Sequence, residues 1–162
     1  MATEVSPDLK LTAVDGPSGT LPEWLTNFQL VTVVLDPYTN QSAWLLETAG
    51  RILREFSGAD CRVSWTVTAD EADAKRFLGP WATELLTFAD PDRELVKALD
   101  LTRLPALVNI RQDLSVAGIA EGWDPPAWDA IATELARMMS WSRPSIPDVG
   151  DPGPFEGSPA RG

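Results

Sequence analysis

The sequence has 162 residues, of which 44% are hydrophobic, so it is long enough to form one domain with a sizeable core. Its formal net charge is −11, and such an acidic surface repels phosphate backbones and anionic lipids. We therefore predict neither nucleic acid nor a membrane as a partner. Because the chain has no histidine, it cannot form a Ser-His-Asp triad or a histidine-ligated zinc site. We also predict no metal and no cofactor.

Targeting features are scarce. Residues 1–10 lack a basic stretch followed by an apolar one, so we expect no signal peptide. No run approaches the roughly 18 apolar residues that span a bilayer. The single cysteine, Cys61, cannot form an internal disulfide, which suits a reducing compartment. We therefore expect a cytoplasmic location.

The first part of the chain alternates between strand and helix patterns. Residues 30–35 (LVTVVL) have Thr32 as their only polar member, which is typical of a strand buried on both faces. The apolar residues of 42–56 recur at helical spacing and predict a long helix. The predicted elements are a strand at 9–14, a short helix at 21–27, a strand at 30–35, a helix at 42–56 and a strand at 62–67.

The second part continues the alternation and ends with a hairpin and a helix. Its predicted elements are a helix at 70–78, a strand at 85–88, a helix at 91–99, a strand at 106–110, an antiparallel edge strand at 115–120 and a last helix that Asp124 caps. Helices that alternate with buried strands imply right-handed crossovers and a sheet covered on both faces. The sequence therefore predicts an α/β domain with a central mixed sheet.

The composition changes after Trp141. Residues 142–162 are rich in proline, glycine and serine and contain few apolar side chains. Such a segment buries too little surface to offset the entropy of ordering it. We therefore predict one domain over residues 1–141 and a disordered tail over residues 142–162.

From about Leu9 to Trp141 the order of elements resembles the thioredoxin superfamily. The most specific match is TRLPALVNI over residues 102–110, where the family has a cis-proline, here Pro105, directly before the strand that opens its closing hairpin. Gly122 matches the family's glycine at the end of that hairpin. The inserted strand-helix unit around LTFADPD, residues 86–92, looks like that of the TlpA-like and peroxiredoxin-like branches. The resemblance implies a thioredoxin-like fold.

The chain departs from that family where its chemistry resides. The resemblance places the Cys-x-x-Cys motif on residues 39–42, so that hydroxyls of Thr39 and Ser42, or other polar groups if the register slips by one, replace both sulfurs. An alcohol has a far higher pKa than a thiol and forms no disulfide, so we expect dithiol chemistry to be absent. The family's buried proton-relay carboxylate would fall near Val33, and the peroxiredoxin motif fails as well.

The remaining thiol lies elsewhere. Cys61 begins the second central strand, at the end of the sheet opposite the family's active site. Free cysteines are among the most buried residues, so we interpret Cys61 as an inert core thiol. A reactive monothiol is the alternative.

The resemblance implies a groove between the 36–42 loop, the proline loop and the end of the hairpin. Its predicted members are Tyr38, Thr39, Asn40, Gln41, Ser42, Leu104, Pro105, Gly122 and Trp123. Together with Tyr38, Trp44 and Trp123 would border this groove, either plugging it or forming an aromatic contact surface.

We interpret the chain as a redox-inactive protein that binds a protein or peptide, because the residue before a cis-proline can pair its backbone with an extended chain. One alternative is an enzyme for a small thiol cofactor, as the glutathione-transferase relatives are, with the hydroxyl of Ser42, Thr39 or Tyr38 stabilising the thiolate. An oxidoreductase acting through Cys61 and a purely structural subunit are further alternatives.

Overall fold

The computed structural model describes residues 2–162. In chain order the elements are β1 (Lys10–Ala13), β2 (Ser18–Thr20), α1 (Leu21–Trp24), β3 (Gln29–Leu35), α2 (Asn40–Phe56), β4 (Cys61–Val67), α3 (Glu71–Leu78), α4 (Trp81–Glu84), β5 (Leu86–Ala89), α5 (Glu94–Ala98), β6 (Arg103–Leu104), β7 (Ala106–Ile110), β8 (Val116–Glu121), α6 (Pro125–Met139) and β9 (Ser158–Pro159).

Strand β3 lies inside a seven-stranded sheet of order β2-β1-β5-β4-β3-β7-β8. It is parallel to β4 and antiparallel to β7, and β8 closes the sheet as an antiparallel edge strand. Residues 30–35 are at most 1% exposed, which agrees with their nearly unbroken apolar sequence. The predicted mixed sheet and its central strand are confirmed.

Helices cover both faces of the sheet. On one face α2, α3, α4 and α6 enclose a cluster that includes Leu45, Phe56 and Trp65. On the other face α1 and α5 enclose a second cluster that includes Leu11 and Phe88. The predicted α/β layering is therefore confirmed. The sequence did not predict four short elements, β2, α4, β6 and β9, because turn-forming residues flank or fill them.

The structure corrects the prediction for residues 142–162. This stretch is packed against the domain instead of forming a disordered tail. We call its residues 143–162 the C-terminal segment. Ile146 and Phe155 lie against the first apolar cluster, and Ala160 is 1% exposed within the second. The composition argument failed because it counts apolar side chains only, whereas this segment also satisfies its backbone groups by pairing with the domain.

Candidate binding groove

The loop between β3 and α2 forms one wall of the groove. Thr39 is the N-cap of α2, with extended dihedral angles, and its hydroxyl donates to the Asp36 carbonyl oxygen at 3.1 Å. The Ser42 hydroxyl is fully buried and accepts from the Asp36 N–H at 3.0 Å. Both hydroxyls at the predicted motif positions therefore bind the loop backbone. Between them Asn40 is exposed and Gln41 is half-buried.

The second wall is the proline loop. The Leu104–Pro105 peptide bond is cis, as the resemblance implies, and both residues are buried. The Pro105 carbonyl accepts from the Gly122 N–H at 2.8 Å, so the end of the closing hairpin lies directly behind the loop. The predicted groove residues of the three chain regions are thus brought to one edge of the sheet.

Gly122 and Trp123 complete the floor. Gly122 has a φ of 68°, and a Cβ there would lie 2.3 Å from the Glu156 carbonyl oxygen, so a side chain is excluded by both conformation and space. The Trp123 ring is fully buried and packs edge-on against Trp128, with centroids 5.3 Å apart. Trp123 therefore belongs to the core below the groove, whereas Trp44 is 59% exposed at its rim.

The C-terminal segment occupies this groove as an extended strand. In the second, two-stranded sheet β9 runs antiparallel to β6, with Ser158 opposite Leu104 and Pro159 opposite Arg103. The Ala160 N–H donates to the Thr102 carbonyl at 3.0 Å. The same chain that forms the groove therefore supplies a strand that pairs with the residue before the cis-proline.

Ser158 connects the two walls. Its hydroxyl oxygen lies 3.3 Å from Thr39 Oγ1 and 3.3 Å from the Leu104 carbonyl oxygen. Ser158 is 6% exposed, so this short side chain fills the space between the α2 N-terminus and the proline loop. Where the resemblance places the reactive cysteine pair, the chain therefore holds the hydroxyls of Thr39 and Ser158 in contact.

Phe155 docks at the other end of the groove. Its backbone exchanges two hydrogen bonds with Trp123, at 2.8 and 3.1 Å, and its ring packs edge-on against Trp44 at 5.7 Å. The Trp123 indole N–H also donates to the Pro152 carbonyl at 2.8 Å. Of the two predicted roles for the tryptophans, the structure gives Trp123 a buried supporting position and Trp44 a contact with the occupant.

Two arginines hold the segment. Arg93, which has a left-handed φ of 56°, donates to the Ala160 carbonyl and to Asp36 Oδ2, the latter at 3.1 Å. Arg51 on α2 donates to Asp151 Oδ2 at 2.7 Å, and the Asp151 side chain is only 5% exposed. Because both ion pairs join residues far apart in sequence, sequence spacing gave no signal for them.

Tyr38 lies outside the occupied part of the groove. Its side chain is 67% exposed, and its hydroxyl donates to Asp73 Oδ2 at 2.5 Å. This hydrogen bond to a carboxylate raises the pKa of Tyr38 above its ordinary value. A phenol with a raised pKa is a poor source of the phenolate or of the acidic hydroxyl that stabilises a ligand thiolate.

Cys61 lies at the opposite edge of the sheet, at the start of β4 and paired in register with Gln29, the first residue of β3. Its sulfur lies 3.6 Å from the Phe56 carbonyl oxygen, and the residue borders an open depression of about 310 Å³. Burial raises the pKa of the Cys61 thiol to about 11, with a smaller contribution from the Asp60 charge. Few molecules carry a thiolate there at neutral pH.

Comparison with solved structures gives the class of fold. Neither a family model nor a curated protein matches the sequence of this chain. A hypothetical protein of Sinorhizobium meliloti 1021 matches with a TM-score of 0.70 at 12% identity, over 99% of this chain and 94% of that one. A secreted Mycobacterium tuberculosis disulfide oxidoreductase homologous to E. coli DsbE matches with a TM-score of 0.60 at 15% identity, over 80% and 96%.

The bacterioferritin comigratory protein of Xanthomonas campestris, described with its alkyl peroxide reduction activity, matches with a TM-score of 0.64 at 15% identity, over 88% of this chain and 98% of that one. These likenesses define the fold as thioredoxin-like. Among solved structures, the structure of this chain resembles those of a DsbE-type disulfide oxidoreductase and of a peroxide-reducing protein. The single cysteine of this chain distinguishes it from any protein that uses a Cys-x-x-Cys pair.

Proposed function

We propose that this protein is a redox-inactive polypeptide-binding module, which holds an extended chain in the groove by β-strand addition. One observation carries the proposal: the groove already accommodates an extended segment, paired antiparallel with Arg103 and Leu104. Main-chain pairing needs few particular side chains, so a groove that accepts one strand is suited to accept another of compatible shape. The predicted partner is therefore a protein or peptide.

The state of the hydroxyls supports the redox-inactive part of the proposal. Thr39 and Ser42 each bind the Asp36 backbone, and neither can form a disulfide. The raised pKa of Cys61 makes a monothiol reaction slow near neutral pH. The thiol-cofactor alternative is less well supported, because the hydroxyls of Thr39, Ser42 and Tyr38 are all engaged with protein groups.

For the place of action we propose the cytoplasm, and the single cysteine is the support for it. Within residues 2–162 no helix has the length and apolar character needed to cross a membrane. One similar structure is that of a secreted protein, so cell fractionation of the native host is the direct measurement.

The test uses the full-length protein with Gly157→Val. A Cβ at Gly157 would meet the Leu104 carbonyl oxygen at 2.8 Å and the Gly122 Cα at 3.1 Å, and φ there is 94°. The variant should release its own segment and bind a fluorescently labelled peptide that copies residues 152–162. We expect an affinity at least about tenfold higher than that of the wild type, because the wild-type groove is free for only a small fraction of time.

The matched control is Gly150→Val. Gly150 has nearly the same φ, 92°, but a Cβ there meets nothing within 4 Å. This variant carries the same side chain and the same backbone penalty without the collision in the groove, so it should bind the peptide as weakly as the wild type does. If Gly157→Val is folded and its segment is open to proteolysis, yet it binds no peptide, the proposed function is wrong.

A further inference from the structure

We propose that residues 155–160 are a self-ligand, a segment of the same chain that fills the groove and can be released from it. The partner that replaces this segment in the groove is an extended segment of another protein, with the pattern aromatic, acidic, Gly, small, any residue, Ala. This inference rests on the proposed function and adds the chemistry of the partner and the way in which access is controlled. Its grounds are the side-chain requirements of each position along the docked segment.

Two positions demand small residues. A Cβ at Gly157 has no room against the Leu104 carbonyl and Gly122, and Gly157 also has a positive φ. Ser158 fills the gap between Thr39 and Leu104 and is 6% exposed. A longer side chain at either place would push the strand away from β6. A Gly followed by a serine-sized residue is therefore the centre of the recognised pattern.

The flanking positions define the ends. Phe155 supplies the ring that contacts Trp44, and its backbone pairs with Trp123. Ala160 is 1% exposed, so the site takes a methyl group and little more, while its carbonyl accepts from Arg93. These contacts require an aromatic residue two positions before the Gly and an alanine-sized residue three positions after it.

Charge favours an acidic residue between the aromatic residue and the Gly. The Glu156 carboxylate lies 3.2 Å from Arg103 Nη2, although it is 78% exposed. Arg103 also donates to the Gly157 carbonyl at 3.4 Å, and Arg93 lies at the other end of the groove. Because Arg93 is already paired with Asp36, the preference for an acidic residue at this position rests on Arg103.

The segment is held in two separate parts, which makes local release feasible. Asp151 is anchored to α2 by Arg51 and Thr48, while the groove part has a two-residue ladder and backbone hydrogen bonds of Phe155 and Ala160. Between the two parts lie residues 152–154, of which Pro152 accepts from the Trp123 indole N–H. The groove part can therefore open while the Asp151 anchor keeps it nearby, as small units of structure open before the whole fold does.

An opened groove can pair with another strand. Release would expose backbone groups of Thr102, Leu104 and Trp123, which then form an unpaired edge. A second copy of this chain carries the same segment as the tethered one and lacks its high effective concentration, so it competes poorly. A segment of a different protein with better side-chain fit or additional contacts can displace the self-ligand.

The experiment locks the segment in place. In full-length Thr39→Cys/Ser158→Cys two thiols replace hydroxyls that lie 3.3 Å apart, and we expect oxidation to join them, while Cys61 is buried. We expect the oxidised protein to bind the labelled 152–162 peptide at least about tenfold more weakly than the reduced protein does. The same peptide with Val at the position of Gly157, or Ala at that of Phe155, should bind the reduced protein and the Gly157→Val protein at least about tenfold more weakly.

The outcomes separate the two proposals. If the unmodified and substituted peptides bind equally well, or if locking has no effect, the self-ligand and its pattern are wrong while the binding function stands. If no peptide binds to the reduced double variant or to Gly157→Val, the proposed function is wrong. A disulfide-linked dimer on a non-reducing gel would overturn the intramolecular assignment in favour of exchange between copies.

Discussion

The two edges of the central sheet are closed in different ways. At one edge the Cys61 sulfur lies against the carbonyl of Phe56, five residues earlier in the chain. At the other edge Thr39 and Leu104 are covered by Ser158, which is 119 and 54 residues away. Closure by local residues belongs to the folding unit itself, whereas closure by a distant segment can be undone separately.

This difference assigns different roles to the two edges. At the Cys61 edge the thiol borders an open depression, and burial keeps it protonated. The groove edge is completed by a strand whose hydrogen bonds any extended chain could supply. The groove edge carries hydroxyls at Thr39 and Ser42 and holds an extended strand of the same chain.

The largest effect should follow from Trp123→Ala. This fully buried ring packs on Trp128 and holds Pro152 through its indole N–H, so its removal leaves a cavity and loosens the segment. We expect a loss of about 3–5 kcal/mol in the free energy of unfolding. Urea titration measures it. Trp44→Ala, at the exposed rim, should cost below about 1 kcal/mol, and equal costs would contradict the assignment of Trp123 to the core.

Asp151→Asn tests the anchor of the segment on α2. The variant removes the charge that Arg51 pairs with, and it weakens the acceptor for Thr48. Because the Asp151 side chain is 5% exposed while that of Arg51 is 33% exposed, we expect an intermediate loss of about 2 kcal/mol together with faster proteolysis of residues 143–162.

The control for that variant is Arg137→Ala, which breaks an exposed ion pair with Glu134 on the outer face of α6. Its expected cost is below about 0.5 kcal/mol. Similar stability of the two variants would mean that Asp151 does not anchor the segment.

The Cys61 edge predicts a stability change at alkaline pH. The thiol pKa is about 11 in the folded chain against an ordinary value of 9.0, so the unfolded chain loses its proton first as the pH rises. Stability changes little below pH 9 and falls between pH 9 and 11, by about 2 kcal/mol at pH 10.5. Comparing the unfolding free energies of the wild type and Cys61→Ala at pH 8 and pH 10.5 isolates this change, since both proteins share all other titrating groups. Parallel pH curves would contradict the raised pKa.

The smallest expected effect is in redox activity. The purified protein should not catalyse insulin reduction by dithiothreitol, because Thr39 and Ser42 carry hydroxyls and Cys61 is protonated. Cys61→Ser should leave the uncatalysed rate unchanged. Turnover that this substitution abolishes would instead assign the activity to Cys61 and refute the redox-inactive proposal.

Local patterns in the sequence were sufficient for most of the fold. The buried run at 30–35, the helical spacing of 42–56 and the proline before 106–110 each predicted an element that the structure contains. The resemblance also identified Thr39, Ser42, Pro105 and Gly122 as neighbours. These signals are readable because periodicity and turn chemistry act within a few residues along the chain.

The state of the groove depended on contacts that no local pattern records. Arg93 binds Asp36 and Ala160, and Arg51 binds Asp151, across separations of 57 to 100 residues. The apolar content of residues 142–162 predicts disorder. The stretch is nevertheless ordered, because it pairs with β6 and binds Arg51 and Arg93. The sequence by itself determined the sheet, the helices and the loss of the dithiol. Only the tertiary structure decided that the groove is filled by the chain's own strand, because backbone pairing takes its partner from proximity in space.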